Sequence, residues 1–415
     1  MKLYLLPFLF ILYSCSNISE IKEETNSSVT IKIPDYIDNS KLSKYSEFYD
    51  SVKMIPLETK EECLIGRIDK IVVYQGNFFI LDQSQSKSVF QFDSKGKFIR
   101  RYGEIGDGPG KYNEPNDLSI KNDELVIWVN DFRKFIVFDL AGHFKREFHI
   151  DLFGKSGVSL GNRRYAIYSD IGADIDFEER FNLKIVSERD KKIEFGFEKL
   201  DAEFSKGLFF FQQSGDHMFI SPGYSNTLYE ITGDRLIKKV QFDLGTHTIP
   251  KDYYSKFTDV VKFKNGLNHT NYAYISTSFE NNDFIVFSLV YKGLGYNCYY
   301  SKKTEQLKFG NNWFNNLYGF VSGGANFALD GNVAISIYDP SQIDGYQKAF
   351  KSVPSESEMK KFSIDANKFY QVQEKTMSEH FVPSDFKHVK LEIDFLHSVK
   401  VTDNPILILK NIKPF

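Results

Sequence analysis

Cysteine is scarce in this sequence, with three in 415 residues. That is too few for a disulfide scaffold. Tryptophan is scarcer still, at two. Charge of one sign is not in excess. Lys and Arg number 52 against 55 Asp and Glu, for a formal net charge of −3, so the basic footprint of a nucleic-acid partner is missing. Beyond the N-terminus no stretch approaches the roughly 18 apolar residues of a membrane-spanning helix. The eight histidines are His143, His149, His217, His247, His269, His380, His388 and His397. None forms the i, i+4 pair of a zinc-binding helix, so neither a metal nor a cofactor is expected from local spacing. The glycine-rich stretch Gly103–Gly110 lacks the Gly-Lys-Ser/Thr that opens a helix in a phosphate loop, and Pro109 and Pro115 interrupt it.

What is abundant is aromatic surface. Phe (40) and Tyr (24) bring aromatics to 16% of the chain, which favours strands because flat rings suit a pleated, half-buried face. The first 14 residues read as a signal peptide. Lys2 is the positive start, Leu3 to Tyr13 is a short apolar run, and Leu12-Tyr13-Ser14-Cys15 closes it. These four residues resemble a bacterial lipobox, which implies lipidation of Cys15 and a membrane partner through that anchor. Residues 15–33 are then expected to be a flexible tether, because Ser16 to Ser28 cannot bury enough apolar area to offset ordering. Glu20, Glu23 and Glu24 make it acidic. In Bacteroidota lipoproteins such a stretch resembles a signal for the outer face of the outer membrane.

The remainder, 34–415, is expected to be one repeat domain. Asn77 to Asp82, Val89 to Asp93 and Phe98 to Tyr102 are three alternating strands, with a turn at Ser94-Lys95-Gly96-Lys97. The series recurs as Leu125 to Asp131, Phe135 to Asp139, the turn Leu140-Ala141-Gly142-His143, and Phe144 to Phe148. Phe92-Asp93 and Phe138-Asp139 lie 46 positions apart, as do Gly96 and Gly142. Repeats of that length made of short strands read as propeller blades. Further blades are visible at Tyr165–Val186, His217–Phe242, Phe284–Tyr300 and Asn326–Ser336. Helical insertions are expected near the C-terminus, over Ser355–Met377 and from Pro383 to Leu396. A ring of blades needs both termini in one sheet to avoid an exposed edge, and Val52–Leu57 with Asn404–Lys410 are the candidates.

The loop Tyr102 to Pro115, with the strands that follow through Gly142, resembles the NHL-repeat pattern. Ile55-Pro56-Leu57-Glu58-Thr59, Leu64 to Ile71 and Asp403 to Leu409 resemble the six-bladed β-propeller lipoproteins of Bacteroidota. The resemblance implies an all-β, six-bladed β-propeller that is exported and lipid-anchored in the outer membrane, on its periplasmic or surface face. It implies no established activity. The favoured function is binding or scaffolding, with an envelope protein, glycan or peptide as partner, since loops on a rigid frame carry binding residues. The alternative is an NHL-type metal-dependent lyase or hydrolase, whose ligands would converge on the central channel from several blades. Asp82, Asp131 and Asp139 are assigned to turn hydrogen bonding. Cys63 and Cys298 either pair in an oxidising envelope or stand as two buried thiols, the reading preferred here.

Overall fold

The 46-residue repeat folds as a four-stranded antiparallel meander, and the chain builds six of them into a ring of blades. The computed structural model describes residues 19–20, 22–24, 28–37, 43–169, 181–199, 211–222, 224–254, 256–257, 260–311, 313–314, 317, 324–343, 347, 357 and 393–415. Blade 1 comprises Lys70–Tyr74, Asn77–Asp82, Ser88–Phe92 and Phe98–Tyr102. Blade 2 comprises Asp117–Lys121, Glu124–Val129, Lys134–Asp139 and Phe144–His149. The first strand of each blade lines the channel and the fourth lies at the rim. The inner strands of the other four are Ser156–Gly161, Gln212–Ser214, Ala273–Glu280 and Asn326–Asp330.

The apolar strand runs have a simple cause. A blade is covered on both faces by its neighbours, so both sides of each middle strand are buried. In blade 1, Phe78 and Ile80 pack towards blade 6, while Phe79 and Leu81 pack towards blade 2. Blade 2 repeats this with Leu125 and Ile127 facing blade 1, and Val126 and Trp128 facing blade 3. Six such clusters lie between blades, and each fully buried Leu, Ile or Phe contributes about 1.5–3 kcal/mol.

The hairpin turns match across the repeat. Gly96 and Gly142 both donate their backbone N–H back to the strand-ending Asp, Asp93 and Asp139, and both hold positive φ, +81° and +89°. Gly96 has a second reason to lack a side chain, since a Cβ there would lie 2.2 Å from the Pro56 carbonyl oxygen.

The ring closes as the sequence suggests. Ile406–Ile412 is the third strand of blade 6 and Tyr49–Pro56 its fourth, antiparallel with Leu407 opposite Ile55 and Leu409 opposite Lys53. Asn404 secures the junction. Its side chain accepts from Ile65 N–H and donates to the carbonyls of Glu58 and Cys63, each at 2.8 Å.

Several expectations are corrected. Within the stretch expected to be a tether, Ser19–Glu20 pairs in parallel with the outer strand of blade 3, Lys192–Lys199. Lys22–Glu24 and Val29–Lys32 pair with the outer strand of blade 4, Arg235–Asp243. Polar composition made the segment look free, but an unpaired blade edge offers main-chain partners whatever the side chains are. Ser43–Lys44 then pairs with Trp313–Phe314, so the N-terminal segment passes from blade to blade before completing blade 6. Phe284–Tyr291 is the second strand of blade 5, and Ala273–Glu280 opens that blade.

Helices also occur between blades 4 and 5, at Lys251–Tyr254 and Val260–Leu267. They enclose an aromatic cluster with Tyr224, Tyr253 and Phe263. Near the C-terminus, Ile393–Ser398 is helical; nearly all of Ser355–Met377 and the start of the second insertion at Pro383 lie outside the described residues. No helix among the described residues is long and apolar enough to cross a membrane.

Candidate functional site

The channel is the first place to look, and its own side chains cross it. At the end where the inner strands begin, Lys70 of blade 1 donates to Asp117 of blade 2 at 2.7 Å, with both side chains almost fully buried. Ser156 of blade 3 also donates to Asp117, and the Leu118 N–H adds a further contact at 2.7 Å. Burial pushes the Lys70 ammonium down and the Asp117 carboxyl up, and their mutual attraction opposes both shifts. Deeper in, Gln213 of blade 4 reaches across to blade 2, accepting from Ile120 N–H at 3.0 Å and donating to its carbonyl at 2.6 Å. Ser214 donates to the Leu329 carbonyl of blade 6 at 3.3 Å. This is a polar plug that ties five blades together; an unpaired partner in it would carry a desolvation cost.

A different kind of space lies at the rim. A cavity of about 640 Å³ opens along the outer strand of blade 5, Leu307–Gly310, where the N-terminal segment crosses towards blade 6. Its walls include Tyr36, Phe48, Tyr296, Phe309, Lys308 and Lys413. Tyr36 stands at the lip, 79% exposed. Lys308 lies 4.3 Å over the Phe415 ring; burial lowers its affinity for a proton, Lys413 beside it acts the same way, and Glu47 opposes both. Glu47 also lines the cavity, and its carbonyl accepts from the Lys308 ammonium at 3.4 Å; two lysines against one carboxylate leave the surface with an excess of positive charge. Leu307–Gly310 pairs on one edge with Leu294–Ser301, and just beyond it Trp313–Phe314 pairs in parallel with Ser43–Lys44.

The residues singled out from sequence fall as follows. Cys15 lies outside the described residues. Asp82 accepts backbone N–H bonds from Gly66, Arg67, Gln85 and Ser86, and Asp139 accepts from His143 N–H at 2.8 Å; both are structural. Cys63 packs between blades 6 and 1 and Cys298 between blades 4 and 5, each a buried free thiol. His143 and His149 are on the surface, while buried His247 sets its ring nitrogens against the carbonyls of Asn271 and Asp35 at 2.8 and 3.1 Å. His380 and His388 lie outside the described residues. Among the described residues no three His, Cys, Asp or Glu converge as metal ligands would. Sequence reasoning missed the rim groove, whose residues come from both ends of the chain and from blade 5. The only local signal was the alternation of Leu307 and Phe309 around Lys308.

Fold and sites together define a six-bladed β-propeller with a plugged channel and a rim groove. The chain belongs to the family described as a domain of unknown function, DUF4934, whose model matches residues 28–410. No curated protein matches the sequence. Among solved structures, it is similar to a "Putative exported protein" from Bacteroides fragilis, at 15% identity and a TM-score of 0.66, over 94% of this chain and all of that one. That likeness shows the shared fold. A DUF4221 family member from Bacteroides vulgatus has 8% identity and a TM-score of 0.42, over 65% and 87% of the two chains. A virginiamycin B lyase from Staphylococcus aureus has 13% identity and a TM-score of 0.32, over 63% and 76%. Neither of these two carries an argument about this chain.

Proposed function

We propose that this protein is an envelope lipoprotein, anchored through Cys15 in the outer membrane, whose propeller binds an extended segment of a partner polypeptide at the rim of blade 5. The observation that carries this reading is the groove. It combines an outer blade strand, an exposed aromatic lip, two lysines and one carboxylate, Glu47. An extended segment laid along an outer strand gains main-chain hydrogen bonds wherever that edge is unpaired, and specificity from the pockets beside it. The protein's own N-terminal segment is held in this manner on blades 3 and 4. The lysines favour an acidic segment. The plugged channel, with its blade-to-blade contacts, serves as the rigid frame behind the groove.

The test is site-specific photocrosslinking in intact envelopes. A photoreactive amino acid at Phe309 is expected to capture a discrete partner, and Lys308→Glu in the same chain to reduce capture about tenfold or more. The same group at Ile99, on the outer strand of blade 1, serves as the comparison. Equal capture at both positions, or capture insensitive to Lys308→Glu, would remove the groove from consideration.

A further inference from the structure

We infer that blade 3 is the part of the propeller held against the membrane, with the basic turns of that blade facing anionic phospholipid headgroups. This rests on the anchor at Cys15 and adds to it an orientation. Ser19 lies opposite Phe195 and Glu20 opposite Gly196, in parallel. The chain therefore enters this strand from the Lys192 end of blade 3. Only Ser16, Asn17 and Ile18 separate Cys15 from it. Even fully extended, Cys15 to Ser19 spans at most about 14 Å. An anchor this short does not let the propeller stand off on a stalk.

The same end of blade 3 is basic. Two turns lie side by side there, Asn162–Arg163 and Glu188–Lys191, joined by the Glu188 N–H donating to the Arg163 carbonyl at 3.0 Å. They and their flanks present Arg163, Arg164, Arg189, Lys191 and Lys192. Of the nearby carboxylates, Asp190 in the same turn accepts from the Ser187 hydroxyl at 3.2 Å, and the other two are in ion pairs. Glu188 is paired with Arg146 and Arg163, and Glu194 with Arg164. Among the described residues, exposed Arg189, Lys191 and Lys192 make no ion pair, so their charge is free to act on a surface within the roughly 10 Å over which salt leaves it unscreened. Basic residues at that range are attracted to anionic leaflets. In a ring of six, blade 6 stands opposite blade 3, so the groove between blades 5 and 6 lies across the ring from the anchored blade.

The experiment uses the full-length lipidated protein in vesicles of phosphatidylethanolamine and phosphatidylglycerol. A fluorophore is placed at Arg189→Cys or at Lys95→Cys in the matching turn of blade 1; Cys63 and Cys298 are buried and escape labelling. A headgroup-borne quencher is expected to quench the label at 189 several-fold more than the label at 95. Exchanging phosphatidylglycerol for phosphatidylcholine is expected to narrow that difference. Equal quenching at both positions on vesicle-bound protein overturns the orientation and leaves the anchor standing. A difference that ignores lipid charge overturns the role of the basic turns. Protein that does not stay on vesicles at all overturns the anchor and the orientation together.

Discussion

Blade 2 takes its four strands from one run of chain, Asp117 to His149, whereas blade 6 takes two from Asn326–Tyr338, one from Ile406–Ile412 and its outer strand from Tyr49–Pro56. The two sheets have the same form and differ in how they satisfy themselves. In blade 2, Lys134 pairs with Glu147 at 2.9 Å, and Glu147 also accepts the Gly110 N–H of the glycine-rich loop. In blade 6, the Ser336 hydroxyl and the Lys410 ammonium are buried without a hydrogen-bond partner. Lys410 projects towards the cluster between blades 5 and 6, with its ammonium 5.4 Å from the Tyr49 ring. A blade made of neighbouring strands is a local structure, while the closing blade stands only once distant segments meet.

The comparison is broken most severely by deleting Asn404–Phe415. That removes the third strand of blade 6 and the Asn404 contacts, and leaves Tyr49–Pro56 without its partner. Loss of cooperative thermal unfolding, or aggregation, is expected; a deletion protein that melts at the full-length temperature would place closure elsewhere. Next in size is Trp128→Ala in blade 2. The indole is fully buried, its Nε1–H donates to the Gly154 carbonyl at 2.7 Å, and its ring sits where a Cβ on Gly157 would be only 2.7 Å away. A loss of about 3–5 kcal/mol is expected by denaturant titration, without loss of the ring.

Lys410→Met sharpens the comparison from the other side, because it is expected to stabilise. Burial depresses the Lys410 amine to about 7. Between that value and the ordinary lysine range, the unfolded chain holds a proton that the folded chain lacks, so stability rises with pH across this window. Below about pH 7 both states are protonated, and the penalty of the buried charge is constant and largest. Lys410→Met is therefore expected to gain a few kcal/mol at pH 6 and to flatten the rise between pH 7 and 10. A variant with the wild-type pH profile would show that the ammonium reaches water. The smallest expected effect is that of Asn404→Ala, about 1–3 kcal/mol, from the Ile65 N–H and the Glu58 and Cys63 carbonyls left unpaired. It is read as a shift in denaturant midpoint at unchanged slope.

Blades 1 and 2 were legible in the sequence because burial on both faces forces continuous apolar strands, and because the turns need glycine at positive φ after Asp93 and Asp139. The closing strands were legible because both ends carry apolar runs with no other partner. The N-terminal belt was not: Lys22–Glu24 is polar throughout, and its order comes from main-chain hydrogen bonds to a blade edge that side-chain composition does not report. The short helices between blades 4 and 5 escaped because Lys251–Tyr254 is a single turn, below the length at which periodicity shows. The rim groove escaped because Tyr36, Lys308 and Lys413 are far apart in the chain.

The sequence by itself determined the repeat, the strand class, the turn chemistry and which segments close the ring, since these depend on local alternation and on residues a few positions apart. Only the tertiary structure decided that Lys70, Asp117, Ser156 and Gln213 plug the channel, and that Lys308 of blade 5 and Lys413 beyond the last strand meet at one groove. Those arrangements need the ring to form first. A buried ion pair or a groove wall is set by which side chains converge in space, and one blade brings only its own share of each.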